Sequence, residues 1–175
     1  MAKIHKLTEL HSLREIWGRV FTSDDPFGWP FADSIRSGLL FYPTEGYHLA
    51  ESQYEAVIAI AKSAGDNGFV VSITEGEGDV IDRGEHWWCE YPSYDEYRSL
   101  PLILENSVYS RSAAWGVMVS HEDHAVVGAD EVFITELRMA YPQWQDDISK
   151  LIDTWRNNPN SSWVNSLLKK CSEVR

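Results

Sequence analysis

"LILENSVYSRSAAWGVMVSHEDHAVVG", residues 102–128, decides the fold. Three apolar runs, "LILENSVYS", "AWGVMVS" and "AVVG", are separated by short polar breaks, the spacing of consecutive strands in an antiparallel meander. The last break, His121-Glu122-Asp123-His124, packs two histidines and two carboxylates into four positions. A zinc site needs three or four ligands, with pairs at helical i, i+4 spacing or on strands of a fold that supplies more. His121 and His124 are three apart in a hairpin loop, and His5, His11, His48 and His86 show no ligand spacing to them. Polar side chains at a hairpin tip satisfy turn backbone, so the stretch reads as a charged turn.

Downstream of the meander the period changes to helical. Asp130 is placed to cap a helix carrying Val132, Phe133, Leu137 and Ala140, which Pro142 ends. Trp144, Ile148, Leu151, Ile152 and Trp155, then Val164, Leu167, Leu168 and Cys171, give two further amphipathic helices. Upstream, Leu7, Leu10, Leu13, Trp17, Val20 and Phe21 predict a helix over residues 3–21. "TSDDPFGWPFADS" is a loop with aromatic anchors, and "SGLLFYP" a buried strand ended by Pro43. A helix follows from Ser52, with Ser52 and Glu55 at capping-box spacing and Gly65 at its end, and "GFVVSITEGEGD" brings another strand. Strands and helices do not alternate strictly. The expectation is one α+β domain over residues 1–175, with helices packed on a mostly antiparallel sheet and a helical C-terminal third.

Length and composition agree with a single core: 175 residues, 43% hydrophobic and 24% charged. No apolar run is long enough to span a membrane and no signal peptide opens the chain, which predicts a cytoplasmic protein. Cys89 and Cys171 form no CxxC, so neither a disulfide framework nor a zinc knuckle is expected. Cys89 and His86 could be imagined as nucleophile and base, yet a three-residue offset in a strand puts them on opposite faces. "EGEGD" lacks the third glycine and the following helix of a dinucleotide fingerprint. No cofactor is expected.

Charge is the stronger signal. The net charge is −12, which repels nucleic acid and anionic lipid and attracts cationic proteins. Between residues 75 and 105 there are nine carboxylates and two arginines, a net of −7. Glu75, Glu77, Asp79, Asp82, Glu85, Glu90, Asp95 and Glu96 are interleaved with Trp87, Trp88, Tyr91, Tyr94 and Tyr97. Rigid aromatics at a binding hot spot inside a steering negative field describe a docking surface. The competing reading is a solvated acidic loop whose aromatics finish the core. Alternation sends Trp87 and Trp88 to opposite faces of a strand.

The segment "ILENSVYSRSAAWGVMVSHEDHAVVGADEVFITEL", residues 103–137, resembles immunity proteins of bacterial polymorphic-toxin and contact-dependent growth inhibition systems. That resemblance implies a non-catalytic protein that binds a cognate toxin domain, often a basic nuclease, with no nucleic-acid or membrane partner of its own. Two alternatives stand beside it: a small metal-dependent hydrolase using His121, Asp123 and His124, and an adaptor module with an unrelated partner for its acidic surface.

Overall fold

The computed structural model describes residues 1–172, the side chains of Leu7 and Ser172 excepted. Seven strands, β1 (Ala2–Lys3), β2 (Ser37–Phe41), β3 (Phe69–Ile73), β4 (His86–Cys89), β5 (Asn106–Tyr109), β6 (Gly116–Val119) and β7 (Ala125–Ala129), form one sheet in the order β1-β4-β3-β5-β6-β7-β2. Every neighbouring pair is antiparallel. The helices are α1 (Leu7–Val20), α2 (Glu51–Ser63), α3 (Tyr94–Arg98), α4 (Glu131–Ala140), α5 (Trp144–Trp155) and α6 (Ser162–Ser172). The meander β5-β6-β7 forms the middle of the sheet, and the chain is α+β with a helical C-terminal region.

Helices cover both sheet faces, which explains why "SGLLF", "FVVSI" and "GVMV" read as near-continuous apolar runs rather than alternating ones. Leu39, Phe41, Val71, Trp87, Val108, Val117 and Val127 pack against Tyr54, Val57 and Ala61 of α2, Tyr97 of α3 and Phe133, Ile134 and Leu137 of α4. On the reverse face Leu40, Val70, Tyr109, Met118 and Val126 meet Leu13 and Val20 of α1, Leu151 of α5 and Val164 and Leu167 of α6. Trp87 and Trp88 lie on opposite faces, as alternation requires.

Two helix starts differ from the sequence expectation for tertiary reasons, and one short helix is added by a local capping signal. Helical periodicity reaches back to Lys3, but Ala2 and Lys3 pair with Trp88 and Trp87, and the Ile4 N–H donates to the His86 carbonyl, so α1 starts only at Leu7. The side chain of Leu7 lies outside the described residues. Helix α2 starts one residue before the expected Ser52: the Ala50 N–H donates to Gln53 Oε1 at 3.0 Å while Gln53 Nε2 donates to the Pro43 carbonyl at 2.9 Å. Gln53, buried between the helix start and the end of β2, replaces the expected Ser52–Glu55 pair. Helix α3 was not foreseen, although its signal is present in "SYDE": Ser93 and Glu96 form a complete capping box.

The sheet edges are closed. Strand β1 is two residues long. At β2, Arg138 Nη2 donates to the Gly38 carbonyl at 3.3 Å and the Tyr42 N–H donates to Asp147 Oδ2 at 3.2 Å, so side chains of α4 and α5 stand in for a further strand. The expected cap of α4 is in place, with the Phe133 N–H donating to Asp130 Oδ1 at 2.8 Å. Asp130→Ala therefore costs about 1 kcal/mol, read as a fall of about 3 °C in melting temperature.

Candidate functional site: the acidic end of the sheet

Strand register places several loops together. Ile73 pairs with Asn106, Asn106 with Val119, Val119 with Ala125, and Ala125 with Phe41, while His86 pairs with Ser72. The C-termini of β2, β3 and β6 and the N-termini of β4, β5 and β7 thus share one end of the sheet. From it emerge residues 42–50, 74–85, 99–105 and 120–124. Residues 22–34 join them, because His124 Nε2 donates to the Pro26 carbonyl at 2.9 Å and Arg83 Nη2 to Asp24 at 3.1 Å.

Each of these loops brings carboxylates, and the hydrogen bonds show them in mutual contact. The Glu105 N–H donates to Glu75 Oε2, the Thr74 N–H to the Glu105 carbonyl, and the Thr44 N–H to the Asp123 carbonyl. Glu105 is buried, and its Oε1 receives the Ser120 hydroxyl, the His121 N–H and His121 Nδ1, the last at 2.6 Å. His121 Nε2 also lies 3.5 Å from Glu122. Several acids are paired: Asp79 and Asp82 with Arg14, Glu85 with Lys3, Glu45 with Arg98. Among the described residues no ion pair reaches Asp25, Glu75, Glu77 or Asp123.

The HEDH stretch is the turn between β6 and β7. The Ser120 N–H donates to the His124 carbonyl, the Glu122 N–H to Ser120 Oγ, and Asp123 takes φ 54°, which aspartate tolerates better than most residues. Its two histidines do different things. His121 is exposed and held by Glu105. His124 is fully buried, stacked on Trp163 with centroids 4.4 Å apart, and burial pushes its pKa down to about 4. Among the described residues, no group of three His, Cys, Asp or Glu side chains is placed to hold a metal ion.

The expectation of one acidic and aromatic surface over residues 75–97 needs correction. Glu75, Glu77, Asp79, Asp82 and Glu85 are at the acidic end, but β4 carries the chain to the opposite end, where Cys89 pairs with Phe69. Glu90, which receives Trp88 Nε1–H at 3.2 Å, and Tyr91 follow there. Trp87 and Tyr97 are buried core residues, and Tyr91 and Tyr94 are half-buried against the same core. Tyr94 donates its hydroxyl to the Leu49 carbonyl, and Tyr97 accepts the Leu49 N–H. Trp88 is half-buried on the other face, with the Arg111 guanidinium 4.2 Å from its ring centroid. Asp95 is exposed, and Glu96 is engaged in capping α3. The five aromatics do not share a surface; they close two sides of the core.

His86 and Cys89 sit on opposite faces, as their offset predicts. His86 Nε2 donates to the Ile81 carbonyl at 3.0 Å, leaving Nδ1 to accept the Ser72 hydroxyl at 2.8 Å and Ser72 Oγ to accept from Tyr109 at 2.9 Å. This chain is satisfied and fully buried, and it ties the acidic loop to β4. Burial pushes the Cys89 thiol up to about 12, which disfavours the thiolate a nucleophile needs. Open clefts of about 380 and 440 Å³ flank Arg111 and are lined by the N-terminal segment and α1.

No protein-family model matches the chain, and neither a curated protein nor a solved structure does. Among the described residues no helix is long and apolar enough to cross a membrane.

Sequence spacing singled out the carboxylates of residues 75–85. It did not find Asp25, Glu45, Glu122 and Asp123 as their neighbours, because only strand register brings those loops together.

Proposed function

We propose that this is a non-catalytic, cytoplasmic immunity-type protein that neutralises a cationic toxin domain, of which a nuclease is the model case, by covering it with the acidic end of the sheet. The observation that carries the reading is the gathering of carboxylates from five separate loops at one end, several of them without a cationic partner. A nuclease must be cationic where it meets phosphate, so an inhibitor offering carboxylates there competes with substrate and gains a fast association rate. The resemblance of residues 103–137 to immunity proteins supports the same reading, since that segment contains the HEDH turn and the Glu105 loop.

Glu77 and Asp123 are exposed and in no ion pair among the described residues, and asparagine tolerates the φ of 54° at position 123 as aspartate does, so Glu77→Lys with Asp123→Asn tests steering without straining the turn. Glu77→Lys with Asp123→Asn slows association with the protein encoded by the adjacent gene by about fivefold at low salt and flattens the salt dependence. An unchanged association rate would exclude this end as the steering surface. Failure of the wild-type protein to bind that neighbour, or to restore growth when it is expressed, would remove the functional reading itself.

A further inference from the structure

We infer that the apolar patch of Tyr47, Ile103 and Leu104 is the anchor of this docking surface, and that its occupant is an apolar depression ringed by lysine and arginine on the cationic partner. This rests on the functional reading above and names what the acidic end grips. Ile103 is 75% exposed, the most exposed large apolar side chain among the described residues. It is not displayed on a loose loop. Leu100 and Leu102 are buried on its N-terminal side, the Leu102 N–H donates to the Leu100 carbonyl at 2.8 Å, and His48 Nε2 binds that same carbonyl at 3.2 Å. On its C-terminal side Asn106 Nδ2 donates to both the Leu104 carbonyl at 3.2 Å and the Tyr47 carbonyl at 2.8 Å, bringing the two half-buried apolar residues together.

Beside this patch Glu75 is exposed, in no ion pair among the described residues, and accepts the Glu105 N–H, whereas Glu45 is paired with Arg98 and Glu105 is buried against His121. A single exposed apolar residue is ordinary on a protein surface. A rigidly held one beside an exposed carboxylate is the arrangement in which burial adds affinity with little ordering cost, while the carboxylate sets the charge of what can approach. That charge selects a cationic face. A second copy of this chain carries the same net charge of −12 and is repelled.

The test measures association and dissociation rates of full-length Ile103→Asp against the protein encoded by the adjacent gene, with Val132→Asp as control. Val132 is also exposed, but it lies in the first turn of α4, next to the opposite end of β7. Ile103→Asp is expected to raise the dissociation rate by about tenfold or more with little change in association. Its melting temperature stays within about a degree of wild type, and Val132→Asp changes neither rate. An unchanged dissociation rate overturns the anchor while leaving the docking end in place. A large fall in melting temperature overturns it by making Ile103 structural, and a wild-type homodimer dissolved by the substitution overturns it by making a second copy the occupant. Absence of wild-type binding removes the functional reading first, and the anchor with it.

Discussion

Lowering the pH from 6.5 to 4 weakens the fold by about 3 kcal/mol through His124 alone. This histidine is fully buried, its Nε2–H donates to the Pro26 carbonyl, its ring stacks on Trp163, and among the described residues Nδ1 has no hydrogen-bond partner. Protonation places a charge in that interior which the Pro26 and Glu122 carbonyls and Asp25 offset only in part. The folded-state pKa is pushed down to about 4, chiefly by desolvation, from the ordinary 6.5. Between those values the unfolded chain binds the proton and the native one does not. The stabilisation is therefore complete above pH 6.5, declines as pH falls, and levels off below about 4. At about 1.4 kcal/mol per pH unit, the gap sets the magnitude.

His86 and His48 are also pushed down by burial and add in the same direction. Asp147 acts in the opposite sense, because burial raises its pKa. Urea midpoints measured across this range read the sum. His124→Gln keeps a donor for Pro26 and cannot titrate, so it should flatten the pH profile; an unaltered slope would show that His124 is not the group responsible. His124 joins the hairpin tip, residues 22–34 and α6, so acid first loosens the acidic end of the sheet.

Gly128→Ala and Gly116→Ala are each expected to destabilise the protein by about 3 kcal/mol, although each adds only one methyl group. These glycines pair across β6 and β7, and Gly38 of β2 extends the row. Aromatic residues lie directly on this strip of bare backbone. A Cβ at 128 would stand 2.6 Å from Phe31 Cδ2, and one at 116 would stand 2.5 Å from Val20 Cγ1 and 2.7 Å from Phe21 Cζ. Retreat is blocked, since Phe31 stacks on Phe21 at 5.4 Å and touches Trp29 edge-on at 5.0 Å. Gly18 is the internal control: a Cβ there meets nothing within 4 Å, so Gly18→Ala in α1 should stabilise by up to about 1 kcal/mol. Equal urea midpoints for Gly128→Ala and wild type would show that the rings have room to move.

Local chemistry made much of the fold legible. The meander, the HEDH turn, the Asp130 cap and the three C-terminal amphipathic helices each depend on residues within a few positions of one another. The capping box at Ser93–Glu96 was equally local and marks α3, even though aromatic and acidic residues around it suggest an irregular surface loop. The candidate site was legible only in its charge. Reading Glu75 to Tyr97 as one surface assumed that neighbours in sequence are neighbours in space. Four residues of β4 are enough to break that assumption, because a strand moves the chain from one end of the sheet to the other.

The sequence by itself determined the α+β class, the antiparallel centre, the opposed faces of Trp87 and Trp88 and the strong negative charge. These follow from periodicity and composition, which need no partner to be read. Tertiary structure alone decided that two layers of helices bury both sheet faces, that His124 is interior while His121 is exposed, and that carboxylates from five loops meet at one end. Register and packing set those outcomes through contacts between residues far apart in the chain, whose energies no local pattern encodes.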